Sequence, residues 1–195
     1  NAEDYIEKLH ESLIKQKNVN INEIKYILTK SEDNTEQKLK QLSVKYEKIN
    51  KNEFSHSLTR EKVALKSKAD ILVFITQDIK IIRKDWLYNL IKDIENGNVE
   101  ACYSRQICNN NTIEKYTREF NYGKQSKIVS KKDIEELGLK TFFFSDAASA
   151  IKKEIFVQLN GYDGKNLPIN EDMYIAYKII NRGYKIKYCA DSEVI

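Results

Sequence analysis

The sequence has little of the residues that interrupt a fold: it contains one proline and six glycines in 195 residues. This scarcity excludes a proline-rich or glycine-rich linker, and the sequence shows neither an internal repeat nor a low-complexity block. With 41% hydrophobic and 32% charged residues, the chain is long enough to bury a core of its own. We therefore predict one domain that spans residues 1–195.

Long hydrophobic runs and an excess of one charge are also lacking. The longest strictly apolar run is Ile71 to Ile75, far short of the roughly 20 residues that a membrane-spanning helix needs. No secretory signal opens the chain, so we expect a soluble protein. The 33 basic and 29 acidic residues leave a net charge of +4, spread along the whole chain. This balance gives nucleic-acid binding no support and would suit an anionic ligand.

Cysteine is scarce too, with three residues, Cys102, Cys108 and Cys189, and no CxxC pair. A chain of this size does not need disulfides, which favours reduced thiols in a cytosolic protein. Free cysteines are usually buried, so we interpret all three as core residues and not as metal ligands.

Helical and strand-like patterns alternate along the chain. Apolar residues recur at helical spacing in three stretches: Tyr5 to Leu13, Leu39 to Tyr46, and Trp86 to Ile94. Apolar runs of strand length occur at Ile24 to Leu28, Ile71 to Ile75, Val99 to Tyr103, Phe142 to Phe144, and Tyr184 to Tyr188. The alternation predicts an α/β fold with a mixed, mostly parallel sheet and helices on both faces. Ligands of such sheets bind beyond the carboxyl ends of the strands.

Both ends of the sequence suggest a fragment. Asn1 and Ala2 resemble the remains of a removed tag, in which case the native sequence starts at Glu3. The chain then opens on a helical pattern, whereas an α/β domain normally opens on a central strand. It stops at Ile195, directly after a strand-like run. We expect the domain to be truncated at both ends.

The run Ile71 to Ile75 delivers Thr76, Gln77 and Asp78 to the carboxyl end of a buried strand. A carboxylate at that place can hold a hard divalent cation, with Thr76 and Gln77 adding neutral oxygens or hydrogen bonds. One carboxylate makes a weak metal site unless the ligand brings oxygens, as a diphosphate does. The alternative is that Asp78 only caps a turn or the next helix.

A pair of carboxylates, Glu171 and Asp172, begins the helical pattern that runs to Gly183. Acidic residues in a first helical turn are favoured by the helix dipole and by capping, which is the structural interpretation. A carboxylate fixed at a helix start and facing a cleft can also act as a general base toward a hydroxyl group.

The turn from Phe54 to Arg60 carries His56 and precedes another helical pattern. Free amides at a helix start bind anions, and Arg60 would add charge-assisted hydrogen bonds to a phosphate or a base. The alternative is that Ser57 or Thr59 caps the helix while His56 satisfies a loop carbonyl. No second histidine or cysteine stands at ligand spacing from His56.

Polar residues also follow three other apolar segments. They are Arg105 with Gln106, the run Arg118 to Tyr122, and the run Phe144 to Ala148, which contains Ser145 and Asp146. Taken singly, each has the pattern of a surface turn.

Taken in order, these segments resemble the family 2 glycosyltransferases of GT-A fold, and within them the bacterial rhamnosyltransferase-like branch. That branch carries a Phe-x-His-x-x-Thr-Arg turn, Thr-Gln-Asp after a strand, Arg-Gln, Arg-x-Phe-Asn-Tyr, Phe-Ser-Asn-Ala and Glu-Asp-Met. The matching residues here are Phe54 to Arg60 with one extra residue, Thr76 to Asp78, Arg105 with Gln106, Arg118 to Tyr122, Phe144 to Ala147, and Glu171 to Met173. No motif is strong alone, but the six in this order cover nearly the whole chain.

The resemblance assigns roles to several of these residues. It implies that Asp78 binds a metal, Mn²⁺ or Mg²⁺, that bridges the donor diphosphate, and that Asp172 of the Glu171-Asp172 pair is the catalytic base. It also implies a donor-nucleotide contact by Arg60. We expect Thr76, Gln77, Ser145 and Asp146 to line the same donor site.

The sequence departs from the family pattern in three respects. Thr29 stands where the family usually has an aspartate that holds the nucleobase, and Asp146 replaces an asparagine. The family's first strand would precede Asn1, and its histidine-bearing segment would follow Ile195.

The resemblance implies an inverting, metal-dependent sugar transferase. Its donor would be a dTDP- or UDP-linked sugar, with rhamnose expected, and its acceptor a glycan or lipid-linked glycan of a cell-surface polysaccharide. Such an enzyme works in the cytoplasm or at the inner face of the membrane, where segments outside this sequence would attach it peripherally. Two rivals remain open: a glycoside hydrolase, which would leave Arg60 and Asp78 without a role, and a noncatalytic nucleotide-sugar-binding module of the same fold.

Overall fold

The computed structural model describes residues 2–30 and 32–195, so Asn1 of the predicted tag remnant lies outside the described residues. Ala2 is buried, and its N–H donates to Thr35 Oγ1 at 3.0 Å. The helices and strands follow one another as α1 (Ile6–Ile14), β1 (Tyr26–Thr29), α2 (Thr35–Gln41), β2 (Tyr46–Ile49), α3 (His56–Lys66), β3 (Ile71–Ile75), α4 (Trp86–Glu95), β4 (Ala101–Gln106), α5 (Ile113–Asn121), β5 (Lys127–Val129), α6 (Ile134–Leu137), β6 (Ala148–Lys152), α7 (Lys153–Gln158), α8 (Glu171–Asn181) and β7 (Ile186–Val194).

Among the described residues, the strands form two sheets. β1 and β2 pair in parallel, and a five-stranded sheet has the order β3-β6-β4-β7-β5. The mixed α/β class is confirmed, but the expectation of mostly parallel pairing is wrong for the larger sheet. There only β4 and β7 pair in parallel, because β5 and β6 run against their neighbours. Alternation of helices and strands does not specify direction when the connections are long and irregular, as they are around β5 and β6.

Helices cover both faces of the larger sheet, as predicted. Successive residues of β4 point to opposite faces, so Ala101 and Tyr103 pack with α3, α7 and α8, whereas Cys102 packs with α1 and α4. Helix α4 shows why such packing is stable: its apolar residues recur on one face, and Trp86 is fully buried with its Nε1–H donating to Ser104 Oγ at 3.1 Å.

Two predicted elements are wrong. The helical pattern from Leu39 to Tyr46 breaks after α2, because Ser43 adopts a left-handed conformation with φ of 55°, and Tyr46 then begins β2. The aromatic run Phe142 to Phe144 is the end of a 3₁₀ turn and a loop, not a strand. Phe144 is nevertheless buried, with its ring 5.4 Å from that of Tyr103.

Three of the strands, β2, β5 and β6, are not predicted from the sequence, and the most deeply buried of them is β6. It lies between β3 and β4, and its residues from Ala148 to Ile151 are all buried. Since both faces are covered, small residues replace the apolar alternation by which a strand is recognised.

Two of the three cysteines, Cys102 and Cys189, are buried free thiols as predicted, whereas Cys108 is half-exposed. Within residues 2–30 and 32–195, no helix combines the length and the apolar character required to cross a bilayer.

Candidate active site around the 145–147 loop

The first polar face of the site belongs to α3. Ser55 caps this helix by accepting from the Leu58 N–H at 3.2 Å, and its own N–H donates to Thr59 Oγ1 at 3.1 Å. Ser57 is therefore not the cap. It lies on a face shared with Arg60 and Glu61, three and four residues later. That face turns toward the rest of the domain.

Two of these side chains hold the loop before α8. Ser57 Oγ donates to the Lys165 carbonyl at 2.7 Å and accepts from the Leu167 N–H at 2.9 Å. Glu61 accepts from the backbone N–H groups of Tyr162 and Gly164. These contacts fix residues 161–167 against α3 and so determine where α8 begins.

The third side chain, Arg60, links α3 directly to α8. Its Nη1–H donates to Glu171 Oε1 at 2.6 Å, and its Nε lies 3.8 Å from Asp146 Oδ2. The Arg60 side chain is 16% exposed and that of Glu171 is 11% exposed, so the pair is largely desolvated. His56 Nδ1 lies 3.9 Å from the same Glu171 oxygen, and its ring packs edge-on against Phe54.

Asp146 is a fully buried carboxylate with a donor on each oxygen. Ser149 Oγ donates to Oδ1 at 2.6 Å, and the Tyr162 hydroxyl donates to Oδ2 at 2.9 Å. Burial raises the pKa of Asp146, while Arg60, Ser149 and Tyr162 oppose that shift. The pKa of Tyr162 is raised well above its usual value, because burial and the adjacent Asp146 both disfavour a phenolate.

Asp172 lies in the first turn of α8, beside this cluster. Its Oδ1 accepts from the N–H of Met173 at 2.8 Å, while Asn170 at the N-cap position makes no side-chain cap. Burial and the neighbouring carboxylate of Asp146 raise the pKa of Asp172 to about 6. A carboxylate that titrates near neutral pH is suited to take a proton from a hydroxyl group.

The remaining motifs converge on the loop of residues 145–147. Gln106 at the end of β4 donates to Ser145 Oγ at 2.7 Å, and Ser145 opposes the burial that raises the pKa of Tyr122, the residue that follows α5. At the end of β3, the Thr76 N–H donates to the Ala147 carbonyl at 3.1 Å. The carboxylate of the middle residue, Asp146, raises the pKa of Asp172, whereas the backbone of Asp146 lowers it. The loop therefore joins the end of β3 to the start of α8, although these elements are far apart in the sequence.

The end of β3 differs from this cluster in its exposure. Thr76 is half-buried, and Gln77 and Asp78 are exposed beyond the strand. Among the described residues, no group of three or more His, Cys, Asp or Glu side chains could hold a metal ion. A divalent cation at Asp78 would therefore take one hard oxygen from the protein and the rest from the diphosphate and water, a donor set that Mn²⁺ and Mg²⁺ accept.

Sequence reasoning missed Ser57 as a buried anchor, Glu61 and Tyr162. Tyr162 lies in Asn160-Gly161-Tyr162-Asp163-Gly164. The glycines of this segment indicate a turn, in which a buried tyrosine is not expected. Gly161 has φ of 47°, and a Cβ there would lie 2.7 Å from Glu61 Oε2. This glycine is the signal that another chain segment approaches the loop closely.

A separate cavity of about 320 Å³ lies between β2 and α3. Glu47, Lys48, Glu53 and Lys62 line it together with apolar side chains. Lys62 already pairs with Glu47 at 2.8 Å. None of the predicted site residues lines this cavity, so the site is defined by convergence of motifs and not by the size of a pocket.

Comparison of the sequence with family models gives a match over residues 1–159 to the family described as Glycosyl transferase family 2. The matched range contains Arg60, Asp78 and Asp146, whereas Glu171 and Asp172 follow it. Among curated proteins, the chain is 36% identical over 134 residues to the O-antigen chain rhamnosyltransferase RfbN of Salmonella typhimurium. That alignment covers 68% of this chain and 42% of RfbN, so the chain matches less than half of its relative.

Solved structures share the fold at low sequence identity. Residues 1–349 of S. aureus TarS superpose with a TM-score of 0.72 and 16% identity, covering 100% of this chain and 56% of that one. GalNAc-T7, crystallised with UDP, GalNAc and Mn²⁺, gives 0.70 and 17% identity over 95% of this chain and 39% of its own. The GT-A fold predicted from the sequence is confirmed.

Proposed function

This chain belongs to glycosyl transferase family 2, and from that premise we propose that it transfers a sugar from a nucleoside diphosphate donor to an acceptor hydroxyl, with inversion at the anomeric carbon. RfbN is named an O-antigen chain rhamnosyltransferase. That name supports rhamnose as the sugar and a cell-surface polysaccharide as the product. We propose a dTDP- or UDP-linked donor. The acceptor is then a glycan or its lipid-linked precursor, and a lipid-linked acceptor would bring the protein to the inner face of the membrane.

The observation that carries the proposal is the position of Asp172. It lies in the first turn of α8, it is partly buried, and its pKa is raised to about 6 by burial and by Asp146. A mere helix cap requires none of this environment. Because the 145–147 loop connects α8 to the end of β3, an acceptor at Asp172 would be close to a donor held beyond that strand.

The proposed reaction has one displacement. A carboxylate oxygen of Asp172 takes the proton of the acceptor hydroxyl while the oxygen of that hydroxyl forms a bond to the anomeric carbon. The bond from the anomeric carbon to the diphosphate breaks on the opposite face, and its electron pair leaves with the nucleoside diphosphate. Single displacement from the opposite face accounts for inversion.

The donor end of the site contains Thr76, Gln77 and Asp78. Asp78 would contribute an oxygen to a divalent cation, which when bound offsets the charge that develops on the leaving diphosphate. Thr76 and Gln77 would position the donor by hydrogen bonds. UDP and Mn²⁺ in the structure of GalNAc-T7 support this class of ligands.

The cluster behind Asp172 supports the base and the donor. Glu171 holds Arg60, so the guanidinium predicted to contact the nucleotide already has a carboxylate partner at 2.6 Å. Its role as a donor contact stays a prediction. Ser145 is half-buried at the surface of the loop and would contact the donor. Asp146 is buried, so it would support the loop and would not contact the donor.

Binding and turnover of candidate donors test the proposal. The protein is mixed with dTDP-rhamnose, UDP-rhamnose or UDP-glucose, with and without Mn²⁺, and its melting temperature and the release of nucleoside diphosphate are measured. We expect stabilisation that requires Mn²⁺, together with release that increases when a glycan acceptor is added. Stabilisation without any release would favour the noncatalytic module, and absence of both would overturn the donor class.

A further inference from the structure

The amphipathic pattern of α5 is inverted. No residue of this helix is buried, and the two that are half-buried are the charged Lys115 and Arg118. Ile113 is 82% exposed, Tyr116 is 65% exposed and Phe120 is 75% exposed. Their spacing of three and seven residues puts these side chains on one side of the helix. A surface helix normally presents its apolar side to the core, whereas α5 presents it to solvent.

A second segment extends this exposed surface. Leu139, in the 3₁₀ turn after α6, is 78% exposed, and the ammonium group of its neighbour Lys140 lies 4.8 Å from the centre of the Phe120 ring. We call Ile113, Tyr116, Phe120 and Leu139 the α5 face. Within the described part of the chain, four of the five most exposed large apolar side chains belong to it. A concentration of exposed apolar side chains marks a contact with a protein or a membrane.

Unpaired lysines lie on the segment that connects the two parts of the α5 face. Residues 124–132 contain no acidic residue and four exposed lysines: Lys124, Lys127, Lys131 and Lys132. Among the described residues none of the four forms an ion pair, in contrast to Arg118, which pairs with Glu114 at 3.1 Å. Thr141 Oγ1 donates to the Asp133 carbonyl at 3.2 Å and so holds the end of this segment beside the turn that carries Leu139.

The free positive charge favours a lipid surface over a protein as the partner. Lysine is depleted in interfaces between proteins. A membrane that contains anionic lipid attracts exposed lysines and accepts apolar and aromatic side chains at the level of its headgroups. There the stem of a lysine can lie along apolar surface while its ammonium group stays with the headgroups, as the position of Lys140 over Phe120 allows.

The α5 face also borders the proposed site. Tyr122 follows α5 directly, and its ring centre lies 5.6 Å from that of Phe143, two residues before Ser145. At the end of the 3₁₀ turn, Phe142 packs against Tyr177 of α8 with ring centres 5.5 Å apart. Both parts of the α5 face are therefore attached to the elements that surround the proposed base.

We propose that the α5 face docks on a membrane surface that contains anionic lipid and so brings the lipid-linked acceptor to Asp172. The inference rests on the proposed function and deepens it, because it places the membrane contact on a helix of this chain and not on segments outside the sequence. Apolar side chains of α5 enter the headgroup region, and the lysines of residues 124–132 lie against the lipid phosphates.

Sedimentation with lipid vesicles tests the docking. The protein is mixed with vesicles of phosphatidylcholine alone, or of phosphatidylcholine with phosphatidylglycerol, at low and at high salt. We expect binding to the vesicles that contain phosphatidylglycerol, and weaker binding at high salt because salt screens the lysines. Absence of binding, or equal binding to both kinds of vesicle, would overturn the proposal.

Two double variants address the apolar and the charged parts separately. Ile113→Ser with Leu139→Ser should weaken vesicle binding by at least about tenfold, and Lys131→Gln with Lys132→Gln by about 10-fold to 30-fold. Neither should change the melting temperature, since these side chains are exposed. Ile14→Ser is the matched control: Ile14 is 58% exposed at the end of α1, which packs on the other face of the larger sheet, so binding should not change. Double variants that bind as the wild type does would overturn the proposal.

Two acceptors separate the docking from the function that it rests on. Both double variants should transfer sugar to a water-soluble glycan at the wild-type rate, and more slowly to a lipid-linked glycan held in vesicles. If the wild type transfers to neither acceptor while the vesicle results hold, the proposed function is wrong and the docking surface stands.

A second copy of the chain is the rival occupant of the α5 face. Sedimentation velocity without lipid measures self-association, and we expect a monomer. A dimer that Ile113→Ser with Leu139→Ser dissociates, together with absence of vesicle binding, would assign the α5 face to a protein interface and overturn the proposal.

Discussion

The start of α8 and the end of β3 are the two halves of the proposed site, and they are built differently. At α8, the largely buried Arg60 pairs with both Glu171 and Asp146, and the Tyr162 hydroxyl donates to Asp146. At β3, Gln77 and Asp78 are exposed beyond an edge strand of which Leu72 is buried and the other four residues are half-buried, so the expectation of a fully buried strand is wrong.

This difference indicates how the work is divided. A general base must be oriented before the reaction, so its surroundings are fixed by the fold itself. A donor site that shares a cation with its ligand gains its remaining oxygen atoms only when the diphosphate arrives. Variants in the preformed half and in the half completed by ligand should therefore behave differently.

The largest effect should come from Asp172→Asn. Without the base, the rate of transfer should fall by about 100-fold to 10,000-fold, because no group takes the proton of the acceptor hydroxyl in the transition state. Donor affinity, measured by titration calorimetry, should remain close to that of the wild type. A variant that keeps most of its turnover and only melts earlier would make Asp172 a structural residue.

The same variant should be more stable than the wild type at neutral pH. Because the pKa of Asp172 is raised from 3.8 to about 6, the folded state binds its proton more tightly than the unfolded state does. Ionisation therefore costs stability, and this cost grows as the pH rises from about 4 to 6 and is complete above 6. Asp172→Asn should gain on the order of 2 to 3 kcal/mol at pH 8 and nothing below pH 4, by denaturant titration.

Asp163→Asn serves as the control of opposite sign. Lys178 and Tyr174 lower the pKa of Asp163 to about 2, so its ionised form stabilises the fold above the unfolded pKa. This variant should be less stable at neutral pH, and the difference should vanish as the pH falls toward 2. Equal pH dependence in both variants would contradict the assigned environment of Asp172.

Gly161→Ala should lower the stability of the preformed half by disturbing the loop that packs against α3. The added Cβ meets Glu61 Oε2 at 2.7 Å on a backbone with φ of 47°, so we expect a loss of about 1 to 3 kcal/mol. Gly164→Ala is the matched variant, since its φ is 65° but nothing lies within 4 Å of its Cβ. It should cost only the backbone strain, about 1 kcal/mol. Equal melting temperatures would show that Glu61 does not restrain this loop.

Asp78→Asn should affect the open half alone. The gain in nucleotide affinity on adding Mn²⁺ should shrink by at least about tenfold, because the protein's charged oxygen ligand is lost. The melting temperature without ligand should not change, since Asp78 is exposed. An unchanged dependence on Mn²⁺ would remove Asp78 from the metal site.

The two halves also differ in how far the sequence predicts them. β3 was predicted with its exact bounds, because five apolar residues with polar flanks leave a strand few alternatives, and Asp78 follows directly. The cluster at α8 was predicted only as separate motifs. The contact of Arg60 with Glu171 joins residues 111 positions apart and depends on the path of the loop between them. No local pattern encodes that path. β6 also lacks a local signal, because its small residues suit a strand buried on both faces and do not alternate with polar ones.

In the proposed reaction, Asp78 and Asp172 serve one donor and one acceptor in the same cleft. The most direct test records the NMR signal of the ¹³C-labelled Asp172 carboxyl while Mn²⁺ and UDP or dTDP are added, in the wild type and in Asp78→Asn. In the wild type we predict paramagnetic broadening of that signal, which requires both Mn²⁺ and nucleotide. In Asp78→Asn we predict that the signal stays sharp. A sharp Asp172 signal while Mn²⁺ and nucleotide are bound to the wild type would contradict the account.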